Sequence, residues 1–419
     1  VNLWTVMAVL LTLTALFSYL NHRLLHLPPA IGVMSTALAF SVGLLVLHSL
    51  GVEVDDPMRI LLHRVHFDTT VLHGLLGFLL FAGALSVDLP ELRRNSAVVA
   101  VLATAGVVLS TLVVGCGAYW ILRLVGESLP PAYCLLFGAL ISPTDPIAVL
   151  ALLRRLHVSR DIEMKMAGES LFNDGVAVSL FLLLLPLADT GQAPTATAAL
   201  ALLAREALGG IAFGALAGWA AMRLLRDTNE YTVEILITLA VVSGGYALAD
   251  VMGVSAPLAT VVAGLIVGHH GRRDMSELTR HHLNLFWHLI DEILNAMLFV
   301  LIGLEVLVMS FHERYLGAML AMVPVVLIAR LLSVGLPAVL LRRSRAFTPH
   351  ALAVMIWGGL RGGLSVAMAL SLSPGAERDL LVAVTYSVVV FGLLVQGTSL
   401  AWLVRPRSQP VHSPTDGAG

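Results

Sequence analysis

Thirteen apolar runs of near membrane-spanning length follow one another along this 419-residue chain, parted by short polar stretches. A helix needs about 20 apolar residues to cross a bilayer, and a spanning segment must satisfy its own backbone polar groups. The chain therefore reads as an all-α polytopic membrane protein. The runs lie near 3–20, 30–50, 69–87, 96–122, 131–153, 161–187, 197–222, 231–249, 255–270, 281–309, 315–341, 348–371 and 378–404. Composition agrees: 12% of residues are charged, against ~25% in soluble proteins. Val1 to Thr5 carry no basic residue, so the first run reads as a span rather than a cleaved leader. The tenth differs from the rest. Its first part, 281–292, keeps acids and histidines among Leu, Phe and Trp, which suits a segment lying along the interface before it enters the membrane.

Arginine placement orients the spans. With the N-terminus outside, sixteen basic residues fall in inside loops: Arg23, Arg93, Arg94, Arg154, Arg155, Arg160, Arg223, Arg226, Arg272, Arg273, Arg280, Arg342, Arg343, Arg345, Arg405 and Arg407. Five fall outside, namely Arg59, Arg64, Arg123, Arg314 and Arg378, and Lys165, Arg205, Arg330 and Arg361 fall within spans. The bias predicts N-out, C-in and an odd number of helices; slipping the count by one helix scrambles it. A net charge of −2 argues against nucleic acid as a partner. Residues 1–404 read as one transmembrane domain, and 405–419, rich in Pro, Ser and Gly, as a short disordered tail.

With the seventh span as divider, the chain falls into two six-helix sets of opposite orientation. The fifth span of the first set holds Ser142-Pro143-Thr144-Asp145-Pro146; the fifth of the second holds Gly358-Gly359-Leu360-Arg361-Gly362-Gly363. Each proline lacks an N–H and pushes its predecessor out of the helical region, so the helix should break beside Asp145 with free carbonyls. Paired interruptions at matching places in inverted halves point to the binding site of a transporter.

The next span carries Glu169, Ser170, Asn173 and Asp174. Ser170, Asn173 and Asp174 share one helical face, which presents a hydroxyl, an amide oxygen and a carboxylate. A carboxylate deep in a bilayer costs at least ~2.5–3.5 kcal/mol, so such groups default to function. With Asp145 and the Thr144 carbonyl opposite, the set is all oxygen, as hard cations prefer. Taking a carboxylate out of water favours its protonated form, so the same atoms suit either a proton or a cation. The alternative, that Asn173 and Asp174 only glue helices together, leaves the second acid in a doubly proline-broken helix unexplained. Glu169 points elsewhere on the helix, and Arg330 and Arg361 are the buried cations available to it. Arg330 sits in an unbroken span and suits a rigid ion pair. Arg361, among glycines, suits the negative ends of broken half-helices. Glu305 is a further intramembrane acid whose partner the sequence does not give.

His269, His270, His281 and His282 flank an inside loop, where they read as ordinary interface residues or as pH sensors, and His73 reads as a packing residue or a pathway one. Cys116 and Cys134 form no metal or redox motif. Protease, P-loop and dinucleotide motifs are absent, so no enzyme activity and no cofactor are expected.

These three motifs, SPTDP at 142–146, GESLFND at 168–174 and WGGLRGG at 357–363, resemble the monovalent cation:proton antiporter-1 family, which includes NhaP-type antiporters and animal sodium/hydrogen exchangers. The resemblance covers about 1–404. It implies a thirteen-helix homodimer with a moving six-helix transport part and crossed broken helices. It implies Asp174 and Asp145 as acids at the ion, Ser170 and the Thr144 carbonyl as neutral Na⁺ ligands, Asn173 as the orienting group, and Glu169 paired to a buried Arg. Asn before Asp resembles the electroneutral branch. One departure stands out: some relatives place a Glu in span three, where this chain has Ala82.

The expectation is a secondary antiporter of the bacterial inner membrane that exchanges Na⁺, with Li⁺ as a further candidate, for H⁺ by alternating access. It would serve pH homeostasis. The rival within the class is a K⁺/H⁺ antiporter. An ion channel would need a continuous polar lining, whereas these polar groups cluster at one depth. An intramembrane hydrolase would use the two aspartates on a bond.

Overall fold

The computed structural model describes residues 3–52, 58–59, 62, 67–155, 158–191, 195–228, 230–274, 277–309, 312–341 and 349–404. The tail 405–419 and Arg64, Arg342, Arg343, Arg345, Arg405 and Arg407 of the orientation argument lie outside them.

Among the described residues every regular element is helical; ten helices are long and apolar enough to cross a membrane, and with the shorter apolar helices they make thirteen segments in order. They are α1 (Trp4–Leu25), α2 (Pro29–Ser49), α3 (Phe67–Ser86), α4 (Ser96–Leu124), α5a (Pro131–Ile141) with α5b (Ile147–Arg155), α6 (Arg160–Thr190) and α7 (Ala196–Arg226). Then come α8 (Tyr231–Val251), α9 (Ala256–Asp274), α10 (Glu277–Glu305), α11 (Leu316–Leu340), α12a (Pro349–Trp357) with α12b (Gly363–Leu370), and α13 (Ala376–Val404). Local chemistry sets many of the ends. Pro29 and Pro131 open α2 and α5a, where a missing N–H costs nothing. Thr195 caps α7 by accepting from the Ala198 N–H at 3.2 Å. Gly191, at φ 70°, ends α6 in the left-handed conformation.

Both breaks fall where the sequence puts them, at 142–146 and 358–362, in the fifth member of each six-helix set. Proline alone does not explain them. Pro186 lies inside α6, and Pro324 and Pro337 lie inside α11, yet both helices run on.

The helices pack as two groups. In one, α4 lies against α5a and α11, α6 against α5a, and α13 against α11 and α12b. In the other, α7 lies along α9, α9 along α3, and α10 along α2 and α3. The groups meet where α6 touches α7 and α9, and where α12b touches the start of α3.

One expectation is corrected. The segment 281–292 does not form a separate interfacial piece but belongs to the continuous helix α10, Glu277–Glu305. Leu283 and Trp287 are buried there with Phe81, Val242 and Val267. Aromatic residues alternating with polar ones look interfacial in one dimension, whereas the helix turns the aromatics inward.

Candidate ion-binding site

The two broken helices meet at their breaks. Breaking α5 frees the carbonyls of Ser142 and Pro143, and the Nη1 of Arg361 donates to both, to Pro143 at 3.0 Å. In the other direction the Asp145 N–H donates to the Leu360 carbonyl at 2.9 Å. Each break thus supplies what the other lacks, which is how irregular backbone survives at membrane depth. Close approach requires glycine at the second break: a Cβ on Gly362 would stand 2.4 Å from Asp145 Oδ2. Asp145 Oδ1 accepts from the Ile147 N–H at 3.0 Å, so the carboxylate also caps the start of α5b.

Helix α6 lies against this crossing. Ser170 Oγ donates to the Thr144 carbonyl at 2.7 Å, and Asn173 Nδ2 donates to Thr144 Oγ1 at 2.9 Å. These two bonds fix the loop that carries Asp145. Asn173 Oδ1 is buried and has no hydrogen-bond partner in the chain among the described residues. Asp174 is the next residue on that helix, half-buried and within electrostatic reach of Asp145. The sequence-selected Thr144, Asp145, Ser170, Asn173 and Asp174 are therefore brought to one place.

Glu169 is brought to Arg330 and not to Arg361. Arg330 Nη1 donates to Glu169 Oε1, and Nη2 donates to Oε2 at 3.1 Å, a two-pronged pair with both side chains buried. Arg330 Nη2 also donates to the Met355 carbonyl of α12a at 2.9 Å. Gly359 makes room for it, since a Cβ there would fall 2.2 Å from Arg330 Nε. One guanidinium thus ties α11, α6 and α12a together. Glu305, at the end of α10, is buried within electrostatic reach of Arg378 and Tyr386.

A cavity of about 1000 Å³ opens from the crossing, with Thr144, Asp145, Ser170, Asp174 and Gly362 in its wall. Its lining also includes Asp291 and Asn295 of α10, and Arg154, His288 and Glu292, whose side chains are exposed. Ala82 lines it on the α3 side. Asp291 and Asn295 are among the polar cavity residues that sequence reasoning missed: they belong to no motif, and only their spacing of four hinted at a common face. Among the described residues no three His, Cys, Asp or Glu side chains gather as a metal chelate. What the site offers is a sparse set of oxygens, the ligand type that hard cations prefer.

Such a site, at the crossing of two interrupted helices in matching positions of two helix sets, defines an ion-coupled secondary transporter. The chain belongs to the sodium/hydrogen exchanger family, whose transmembrane model matches residues 10–405. It is 47% identical over 404 residues to the Na(+)/H(+) antiporter NhaP of Pseudomonas aeruginosa, covering 95% of each chain. It is 32% identical to the Na(+)/H(+) antiporter NhaH of Halobacillus dabanensis, over 84% of this chain and 86% of that one. In fold it matches the sodium proton antiporter MjNhaP1 of Methanocaldococcus jannaschii with a TM-score of 0.73 at 18% identity, covering 95% of this chain and all of the other.

Proposed function

We propose that this protein is a secondary Na⁺/H⁺ antiporter in which Asp174 is occupied alternately by Na⁺ and by a proton. One observation carries the reading. At the crossing there are three acids and two arginines. Glu169 is consumed by Arg330, and Arg361 lends its charge to the break that carries Asp145. Asp174 has no cation of the chain within ion-pairing distance among the described residues, yet it faces the cavity. A desolvated carboxylate in that position demands a proton or an ion. Asp145, the Thr144 carbonyl, Ser170 and Asn173 then supply the further oxygens.

Because Asn173 precedes Asp174, the helix face carries one titrating acid, and the exchange is one cation for one proton and electroneutral. The arginine bias of the loops supports an N-terminus outside a bacterial inner membrane, an orientation that turns the cavity toward the cytoplasm and makes the site inward-open. The two helix groups fit a homodimer in which the group with α5, α6 and α12 moves against the other. The test is recovery of a quenched ΔpH signal in proteoliposomes on adding NaCl, LiCl or KCl separately. Na⁺ should dissipate the gradient, and a membrane potential set with valinomycin and K⁺ should leave the Na⁺ rate unchanged. Dissipation by K⁺ alone would replace Na⁺ as substrate, and stimulation by an inside-negative potential would mean more than one proton per cation.

A further inference from the structure

Helix α10 turns a stripe of Trp287, Asp291 and Asn295 toward the interior, each four residues from the next. Trp287 anchors it. Its indole N–H donates to Thr238 Oγ1 at 3.0 Å, and its ring lies 4.7 Å from that of Phe81. One and two turns on, Asp291 and Asn295 line the same cavity as Asp145 and Asp174, but from the other helix group.

Asn295 Nδ2 donates to Asp291 Oδ1 at 3.0 Å. An ionised carboxylate only accepts hydrogen bonds, so the amide must turn its nitrogen to Asp291 and its oxygen away. That oxygen is buried, belongs to a side chain 5% exposed, and has no hydrogen-bond partner among the described residues. The ionisable groups around Asp291 are His288 and Glu292 on its own helix, Arg154 from α5b, and Asp145 across the cavity. Arg154 leans to Glu163 at 3.8 Å, and His288 to Glu292 at 3.5 Å. No cation of the chain is within ion-pairing distance of Asp291 among the described residues. A helix-stabilising Asp–Asn pair belongs on a wet surface. Here the carboxylate lines a cavity that also reaches the transport acid, with the unmatched amide oxygen buried beside it.

We infer that Asp291 and Asn295 form a second monovalent-cation station in the cavity wall, which receives a partly hydrated Na⁺ on its way to Asp174. The inference rests on the reading of Asp174 as the transport acid. Among the described residues no three His, Cys, Asp or Glu side chains gather there as a chelate, which suits the task, since a relay station must release its ion and a chelate would trap it. The two stations stand on different helix groups, so sliding of one group on the other would separate them and commit the ion.

The experiment is initial rate against Na⁺ concentration in proteoliposomes of the full chain, for wild type, Asp291→Asn, Asp291→Glu and Asn295→Ala. Asp291→Asn should raise the Na⁺ KM about fivefold, the size of one solvated charge contact, with the maximal rate within about twofold of wild type. Asp291→Glu should restore KM, and Asn295→Ala should raise it about twofold, as expected for one neutral oxygen donor. The KM difference should persist in about 0.5 M choline chloride, where a diffuse field is screened. An unchanged KM in Asp291→Asn, a fall in maximal rate alone, or a difference that vanishes in choline chloride would overturn the station. Should Asp291→Asn not fold, an unchanged KM in Asn295→Ala has the same force. Exchange persisting in Asp174→Asn would instead sink the reading beneath it, so the two failures are distinct.

Discussion

The breaks in α5 and α12 occupy equivalent places and are made from opposite materials. The first uses Pro143 and Pro146 around an acid; the second uses Gly358, Gly359, Gly362 and Gly363 around an arginine. Proline leaves carbonyls without donors, and Arg361 carries the donors that reach them. Glycine leaves space, which the Asp145 carboxylate and the Arg330 side chain fill. Neither break is stable alone. The prolines inside α6 and α11 make the same point from the other side, because their helices continue through them. A membrane helix interrupts where a partner can take up its loose backbone groups, and the mismatch between the two breaks is what holds an acid at mid-membrane.

Substitutions can break this comparison in order of expected size. The largest effect should come from the pair that clamps α6 and the broken α12 to α11. Glu169→Gln or Arg330→Gln should each cost about 3–5 kcal/mol, because the survivor is left buried and charged. The double variant should cost less than the sum of the two. A double-mutant cycle on thermal stability in detergent measures this, with Glu169→Gln crossed separately with Arg361→Gln. Coupling to Arg361 and none to Arg330 would contradict the contacts described. Next, Arg361→Gln should cost about 2–3 kcal/mol by orphaning the Ser142 and Pro143 carbonyls, seen as a lower melting temperature. Gly362→Ala should be milder, at about 1–3 kcal/mol for a forced contact, but should depress exchange more than stability by displacing Asp145. Smallest of all, Pro146→Ala should change stability by about 1 kcal/mol or less and leave the break in place, since Arg361 and Leu360 still fix it. Recovery of a continuous helix α5 in that variant would mean that proline, and not the crossing, makes the break.

Much of this was legible in the sequence, for identifiable reasons. Span number follows from apolar run length, and the breaks follow from Pro and Gly inside such runs. Glu169 could be assigned to Arg330 because an arginine in an unbroken helix suits a rigid pair, and the same reasoning sent Arg361 to the free carbonyls. The α10 residues escaped it. Asp291 and Asn295 sit among Trp, His and Leu, and a polar stripe facing a cavity has the same composition as one facing lipid headgroups. Also hidden was the internal wiring of the site. Ser170 read as a bare ligand and Asn173 as an orienting group, and both brace Thr144 across 26 and 29 residues of chain, a relation that no local pattern encodes.

The central claim is that Asp174 is the group which cation and proton occupy in turn, while the crossing beside it supplies further oxygens. Purified Asp174→Asn, reconstituted beside wild type, tests it most directly through proton flux driven by an imposed Na⁺ gradient. Flux should fall to that of protein-free liposomes, while the melting temperature and the elution volume in detergent stay those of wild type. Na⁺-driven flux near the wild-type rate would contradict the account.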